Sequence, residues 1–159
     1  MDNGKSRARR MPAVALALFV ALTACTNGGV PTSSGASGGT TIDVNLTVNA
    51  PVPTPYGQSG GYAPPVTTIP VGSDLHFTNT DSFAHTATEI PGASTFPSGS
   101  PFGISALTQR GGTLSGGFSS GALQPSSSSQ TILADRAGTY LFGCFFHYGA
   151  PMRGAIVAQ

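Results

Sequence analysis

Hydrophobic and polar residues alternate in short runs from residue 41 to the end of the chain. In residues 41–48, TIDVNLTV, every second side chain is aliphatic, which predicts a strand with one buried face. Further strands are predicted within residues 66–81, 84–90, 129–135, 138–144 and 153–159, with turns at 71–73 and 136–138. Residues 91–121 are too rich in glycine, serine and proline to predict strands. The pattern favours an all-β fold, an antiparallel Greek-key β-sandwich of about seven to eight strands.

A different segment precedes this alternation. Four basic residues are followed by the apolar run MPAVALALFVAL and by LTAC, which ends at Cys25. This order is typical of an export signal, and the run of about a dozen residues is shorter than the ~20 that span a membrane. LTAC resembles a bacterial lipobox, so we expect a signal peptide over residues 1–24 and a lipid on Cys25. The alternative is an ordinary signal peptide with an incidental cysteine.

The predicted leader divides the chain into three parts. Residues 25–40 are rich in glycine, serine and threonine and are expected to tether the domain of residues 41–159 to a membrane through the lipid. The protein would then face the periplasm or the cell exterior. After residue 25 there are three arginines and five acidic residues, a net charge of −2. No basic patch remains to bind nucleic acid. We expect the protein to be a monomer.

The stretch CFFHYGAPM, residues 144–152, concentrates metal-competent side chains in a chain with few of them. It holds Cys144, His147 and Met152, whereas the whole sequence has two cysteines, three histidines and three methionines. If Cys25 carries a lipid, Cys144 has no disulfide partner, and a free thiol outside the cytoplasm is reactive unless a metal occupies it. The stretch therefore predicts a metal site.

Thiolate, imidazole and thioether together favour copper. A site with one cysteine, two histidines and a distant methionine is the blue-copper electron-transfer site. The second histidine must come from elsewhere in the chain. His85 follows a predicted strand at its end, whereas His76 lies mid-strand on the face opposite Leu75 and Phe77. We therefore expect His85 to be the ligand and His76 to lie on the surface.

Residues 138–157, GTYLFGCFFHYGAPMRGAIV, resemble the C-terminal signature of the plastocyanin-like small blue copper proteins, the cupredoxins. Residues 66–90 resemble the segment that leads to the first copper histidine of that family. The resemblance implies one copper ion, held by His85, Cys144, His147 and Met152, that carries single electrons. The small number of histidines and the lack of Ser-His-Asp, paired-carboxylate or zinc-type spacings predict that the protein is not an enzyme.

Other predicted roles surround these ligands. Thr86 stands where the family commonly has an asparagine that fastens the cysteine loop, and Thr86 and Asn79 are expected to support the ligands by hydrogen bonds. An apolar patch for transient redox protein partners is expected near His147. Its candidate residues are Phe83, Phe145, Phe146, Tyr148 and Pro151.

Three other functions are compatible with parts of this pattern. The same ligands would serve extracytoplasmic copper storage, delivery or sensing without electron transfer. A copper enzyme would need a second metal cluster, for which three histidines are too few. In a purely structural lipoprotein, the Cys-x2-His-x4-Met spacing would be a coincidence. Electron transfer accounts for most of these residues and is the favoured prediction.

Overall fold

The computed structural model describes residues 39–159. The predicted signal peptide, the lipidation of Cys25 and most of the tether lie outside the described residues. The first strand begins at Thr40, next to the predicted start of the domain. Within residues 39–159, no helix has the length and apolar character needed to cross a membrane.

Nearly all regular structure in the described part of the chain consists of short strands. A single 3-10 helix spans Ile104–Leu107. The strands are β1 (Thr40–Val44), β2 (Val52–Thr54), β3 (Gly57–Ser59), β4 (Tyr62–Ala63), β5 (Val66–Ile69), β6 (Asp74–Asn79), β7 (Thr88–Glu89), β8 (Gln109–Arg110), β9 (Ser119–Ser120), β10 (Ile132–Leu133), β11 (Gly138–Gly143) and β12 (Arg153–Ala158).

The strands form two main sheets that enclose one core. One sheet has the order β10-β6-β1-β4 and the other β5-β12-β11-β7-β9-β8, while β2 and β3 form a separate hairpin. Ile42 and Phe77 from the first sheet pack in the same buried cluster as Phe142 and Ile156 from the second. The predicted all-β sandwich is confirmed. Two of its strand pairs, β1–β6 and β5–β12, are parallel rather than antiparallel.

The strand predicted over residues 41–48 ends at Val44. The backbone N–H groups of Leu46 and Thr47 donate hydrogen bonds to the Asp81 carboxylate instead of to a neighbouring strand. The chain therefore turns, and Val48 is 68% exposed although it continues the aliphatic alternation. A distant side chain overrides the local pattern here.

Strand β11 is covered on both faces at the end that leads to Cys144. Phe142 lies in the main core, whereas Leu141 lies in a second buried cluster with Ile90, Tyr148 and Ala155. Phe96 and Phe102, from the Gly/Ser-rich stretch that gave no strand prediction, pack against this second cluster. The stretch thus covers the outer face of β11 and helps to fix the strand that delivers Cys144.

Candidate metal centre

The loop between β11 and β12 is closed by its own backbone hydrogen bonds. Cys144 N–H donates to the Met152 carbonyl at 3.0 Å, and the N–H groups of Ala150 and Met152 donate to the His147 carbonyl at 2.9 and 3.2 Å. Cys144 and Met152 are both fully buried in the main core cluster. This short loop therefore holds three of the four predicted ligands in a compact turn.

The position of Met152 depends on a glycine in a distant turn. Gly61 has a φ of +72°, and a Cβ at this position would lie 2.4 Å from Met152 Cγ and 3.2 Å from its Sδ. Only a glycine allows both this backbone conformation and this close approach.

The fourth predicted ligand comes from the segment between β6 and β7. His85 is fully buried, and its backbone exchanges two hydrogen bonds with Leu123, at 3.1 and 2.8 Å. His76 lies elsewhere, half-buried in β6, with its Nε2 atom 3.0 Å from the Thr41 hydroxyl.

Three potential ligand atoms converge. The Cys144 Sγ atom lies 3.8 Å from His85 Nδ1 and 3.7 Å from His147 Nδ1, and the two nitrogens lie 3.2 Å apart. The centre of this triangle is about 2.1 Å from each atom, within the ~2.0–2.3 Å of metal–nitrogen and metal–sulfur bonds. The spacing and the chemical types of the three atoms fit a single metal ion bound by two histidines and one cysteine.

Hydrogen bonds from neighbouring residues hold the ligands. The Thr86 N–H group lies 3.4 Å from Cys144 Sγ, and the Thr86 hydroxyl accepts a 2.8 Å hydrogen bond from Phe145 N–H. Asn79 donates from Nδ2 to the carbonyls of Phe83 and Leu123, both at 2.9 Å. Thr86 thus links the His85 segment to the cysteine loop.

Asp81 also contacts the site, although no sequence pattern predicts it. Its Oδ2 atom lies 3.2 Å from His85 Nε2, and its side chain is 3% exposed. Burial alone would raise its pKa, but hydrogen bonds from Ser82 N–H, from His85 and from Thr47 outweigh burial and lower the pKa to about 2. Asp81 is therefore ionised at neutral pH. Its one sequence signal was its position four residues before His85, which by itself predicts no contact in a loop.

Burial also sets the protonation of two predicted ligands. It lowers the pKa of His85, and the neighbouring His147 adds to this effect while Asp81 opposes it. It raises the pKa of the Cys144 thiol, although backbone N–H groups, first that of Thr86, oppose the shift. Without a metal, the site therefore holds a neutral imidazole at His85 and a protonated thiol at neutral pH.

Four of the five predicted docking residues reach the surface near His147. Phe83 and Phe146 are 39% and 44% exposed, and Phe145 and Pro151 are half-buried. The Phe83 ring lies 5.3 Å from the His147 ring, centre to centre. His147 itself is half-buried, in contrast to His85.

Tyr148 does not belong to this surface, and the prediction that it does is wrong. It is 2% exposed, its hydroxyl donates to the Pro97 carbonyl at 2.9 Å, and its ring lies under the Arg153 guanidinium. The tight turn after His147 directs the Tyr148 ring into the second hydrophobic cluster.

Similar proteins are found by comparison of structures and not by comparison of sequences. No family model and no curated protein sequence matches the chain. Among solved structures, a purple cupredoxin from Nitrosopumilus maritimus has 20% identity and a TM-score of 0.48, over 76% of this chain and 99% of that one. A reduced amicyanin variant has 17% identity and a TM-score of 0.46, over 79% and 87%. Oxidised plastocyanin from Dryopteris crassirhizoma has 19% identity and a TM-score of 0.44, over 75% and 99%.

Proposed function

We propose that the chain binds one copper ion through His85, Cys144, His147 and Met152 and carries single electrons between redox proteins outside the cytoplasm. The observation that carries this proposal is the triangle of Cys144 Sγ and two imidazole Nδ1 atoms, with edges of 3.2–3.8 Å. A bound copper ion would supply one-electron redox chemistry between Cu(I) and Cu(II).

The donor set favours copper over zinc. A structural zinc site takes four tetrahedral ligands from cysteine and histidine, whereas this cluster offers three such atoms in the described residues. Met152 is fully buried in the cluster that contains Cys144, and a thioether suits copper.

Rigid support suits electron transfer. Cu(I) and Cu(II) prefer different geometries, so a ligand frame that barely moves limits the rearrangement that accompanies each electron. Here His85 is held by paired backbone hydrogen bonds to Leu123 and by Asp81, and Cys144 is held by the Met152 carbonyl and by Thr86. These supports come from three segments, namely that of Leu123, the β6–β7 segment with Asp81 and Thr86, and the cysteine loop with Met152, so the frame is constrained from several sides.

Electrons would enter and leave at His147. It is the one histidine of the cluster that is not fully buried, and the exposed Phe83 and Phe146 rings flank it. A small apolar surface suits brief contacts with redox partners, which bury less than ~1,200 Å². We propose that the protein works as a monomer, held at a membrane by a lipid on Cys25.

A visible absorption spectrum of the full-length chain with one equivalent of Cu(II) tests this function. We expect an intense blue thiolate-to-copper band that disappears on reduction and in Cys144→Ser and His85→Ala. The matched control His76→Ala, outside the cluster, should keep the band. A colourless wild-type protein would overturn the proposal. A blue protein whose electron exchange is slow in stopped-flow mixing would instead indicate copper storage or delivery.

A further inference from the structure

One carboxylate joins the proposed copper site to a distant turn. Asp81 Oδ2 contacts His85 Nε2 at 3.2 Å and accepts hydrogen bonds from the N–H groups of Leu46 and Thr47 at 2.9 and 3.2 Å. Its Oδ1 atom accepts hydrogen bonds from Ser82 N–H at 2.8 Å and from the Thr47 hydroxyl at 3.0 Å. The side chains of His85 and Asp81 are 0% and 3% exposed.

We propose that Asp81 is a positioning residue that fixes the ring of His85 with Nδ1 free for the metal, and that its charge lowers the reduction potential of the site. This inference rests on the proposed function.

The hydrogen-bond pattern determines which nitrogen of His85 carries the proton. A carboxylate surrounded by N–H and O–H donors can only accept, so the Nε2 atom that faces it must carry a hydrogen. In a neutral imidazole this leaves the lone pair on Nδ1. That atom faces Cys144 Sγ and His147 Nδ1, so the ring is oriented for a metal before one binds.

The charge of Asp81 affects the reduction potential in two ways. A carboxylate hydrogen-bonded to a ligating imidazole makes the imidazole a stronger donor, which favours the more highly charged Cu(II). The negative charge also stabilises Cu(II) over Cu(I), and burial limits screening by water. Both effects lower the reduction potential.

Asp81→Asn separates charge from shape. The amide oxygen can still accept from His85, but the charge is lost and the amide NH2 group replaces the oxygen that accepts from Ser82 N–H. Asp43→Asn is the matched control, because Asp43 bonds to Thr80 and Asn49 and not to a ligand. On the full chain, we expect Asp81→Asn to lower Cu(II) affinity 10- to 100-fold. If Cu(I) affinity is unchanged, each tenfold loss raises the potential by about 59 mV. Asp43→Asn should leave both quantities at their wild-type values.

A second measurement on the wild-type protein covers the case in which Asp81→Asn does not fold. Long-range proton–nitrogen NMR of the metal-free full chain reports which ring nitrogen of His85 carries hydrogen, and we expect Nε2. A hydrogen on Nδ1, or an Asp81→Asn potential equal to that of Asp43→Asn, would overturn the inference and leave a blue copper protein intact. A wild-type chain without the thiolate-to-copper band would overturn the proposed function and this inference together.

Discussion

His85 Nδ1 and His147 Nδ1 lie 3.2 Å apart, although 62 residues separate them in the chain. Both are potential acceptors, and Cys144 Sγ completes a triangle around the same point. Two imidazole nitrogens this close share either a proton or a metal ion. The geometry therefore links metal binding to the protonation of the site.

Metal binding should release about one proton at neutral pH. His85 has a pKa lowered mainly by burial and is already neutral, whereas burial raises the pKa of Cys144 and keeps its thiol protonated. A metal must displace the thiol proton, so affinity should rise about tenfold per pH unit between about pH 7 and 8.5. Calorimetry with Zn(II), in buffers of different ionisation enthalpy, measures the number of protons released. Cys144→Ser should release fewer protons, and His76→Ala should match the wild type. Release of no protons by the wild type would contradict Cys144 as a ligand.

Thr86 should stabilise the cysteine loop through its hydroxyl. Thr86→Val keeps the shape but leaves the Phe145 N–H group without its 2.8 Å partner. A polar group left unsatisfied on burial costs about 1–3 kcal/mol, so the free energy of unfolding should fall by that amount. Metal release to a chelator should also accelerate, because the loop carries Cys144 and His147. Thr86→Ser, which retains the hydroxyl, should recover most of both losses in urea unfolding and chelation kinetics. Equal behaviour of the two variants would show that packing, not the hydrogen bond, matters.

The site residues differ in how far the sequence alone could locate them. Cys144, His147 and Met152 lie within nine residues, so one loop explains their proximity. His85 is predicted as the fourth ligand because it follows a predicted strand at its end, whereas His76 lies mid-strand. Asp81 was missed because its contacts reach back to residues 46 and 47, and no periodicity records a contact of that kind.

The fold was predictable where packing follows local alternation and not elsewhere. Strand β6 lies within its predicted run, and its burial alternates, with Leu75, Phe77 and Asn79 buried. Tyr148 was misplaced because its direction depends on the turn after His147 and on Phe102, a residue in the stretch that gave no strand prediction. Long-range contacts of this kind follow from the tertiary structure alone.

Gly61 should be required for the position of Met152. In Gly61→Ala, the new methyl group would lie 2.4 Å from Met152 Cγ, in addition to the strain of a positive φ. Gly72→Ala is the matched control, because Gly72 has a φ of +90° and no atom within 4 Å of the added Cβ. Strain alone should cost Gly72→Ala roughly 1–2 kcal/mol of unfolding free energy. Gly61→Ala should lose more, and it alone should alter the electron paramagnetic resonance spectrum of bound Cu(II). Identical spectra for the two variants would argue against Met152 as a ligand.

The apolar surface beside His147 should act in electron exchange and not in folding. Phe146 is 44% exposed, so Phe146→Ala should change the free energy of unfolding by no more than about 0.5 kcal/mol. It should slow electron self-exchange between oxidised and reduced protein, measured by NMR line broadening, because two copies must then meet without this contact. Tyr148→Phe is the converse control: it loses the hydrogen bond to Pro97 and about 1 kcal/mol of stability, with self-exchange unchanged. If Phe146→Ala exchanged electrons at the wild-type rate, the docking surface would have to lie elsewhere.

Glu89 should destabilise the protein as pH rises. Burial raises its pKa, opposed by Phe118 N–H and by Arg110, and its Oε2 atom is buried without a hydrogen-bond partner. A carboxyl group with a higher pKa in the folded state binds its proton more tightly there. Its contribution to stability is therefore greatest below the pKa of the unfolded chain, about 4.3, and falls as pH rises through the folded-state pKa. Glu89→Gln removes this penalty, so urea unfolding should find the variant more stable than the wild type at pH 7 and by a smaller margin at pH 4.

Asp135→Asn should behave oppositely, because hydrogen bonds from the Ser115 side chain and N–H lower the pKa of Asp135 and stabilise its ionised form. Equal pH dependence of Glu89→Gln and the wild type would mean that the Glu89 carboxylate is solvated in the folded protein.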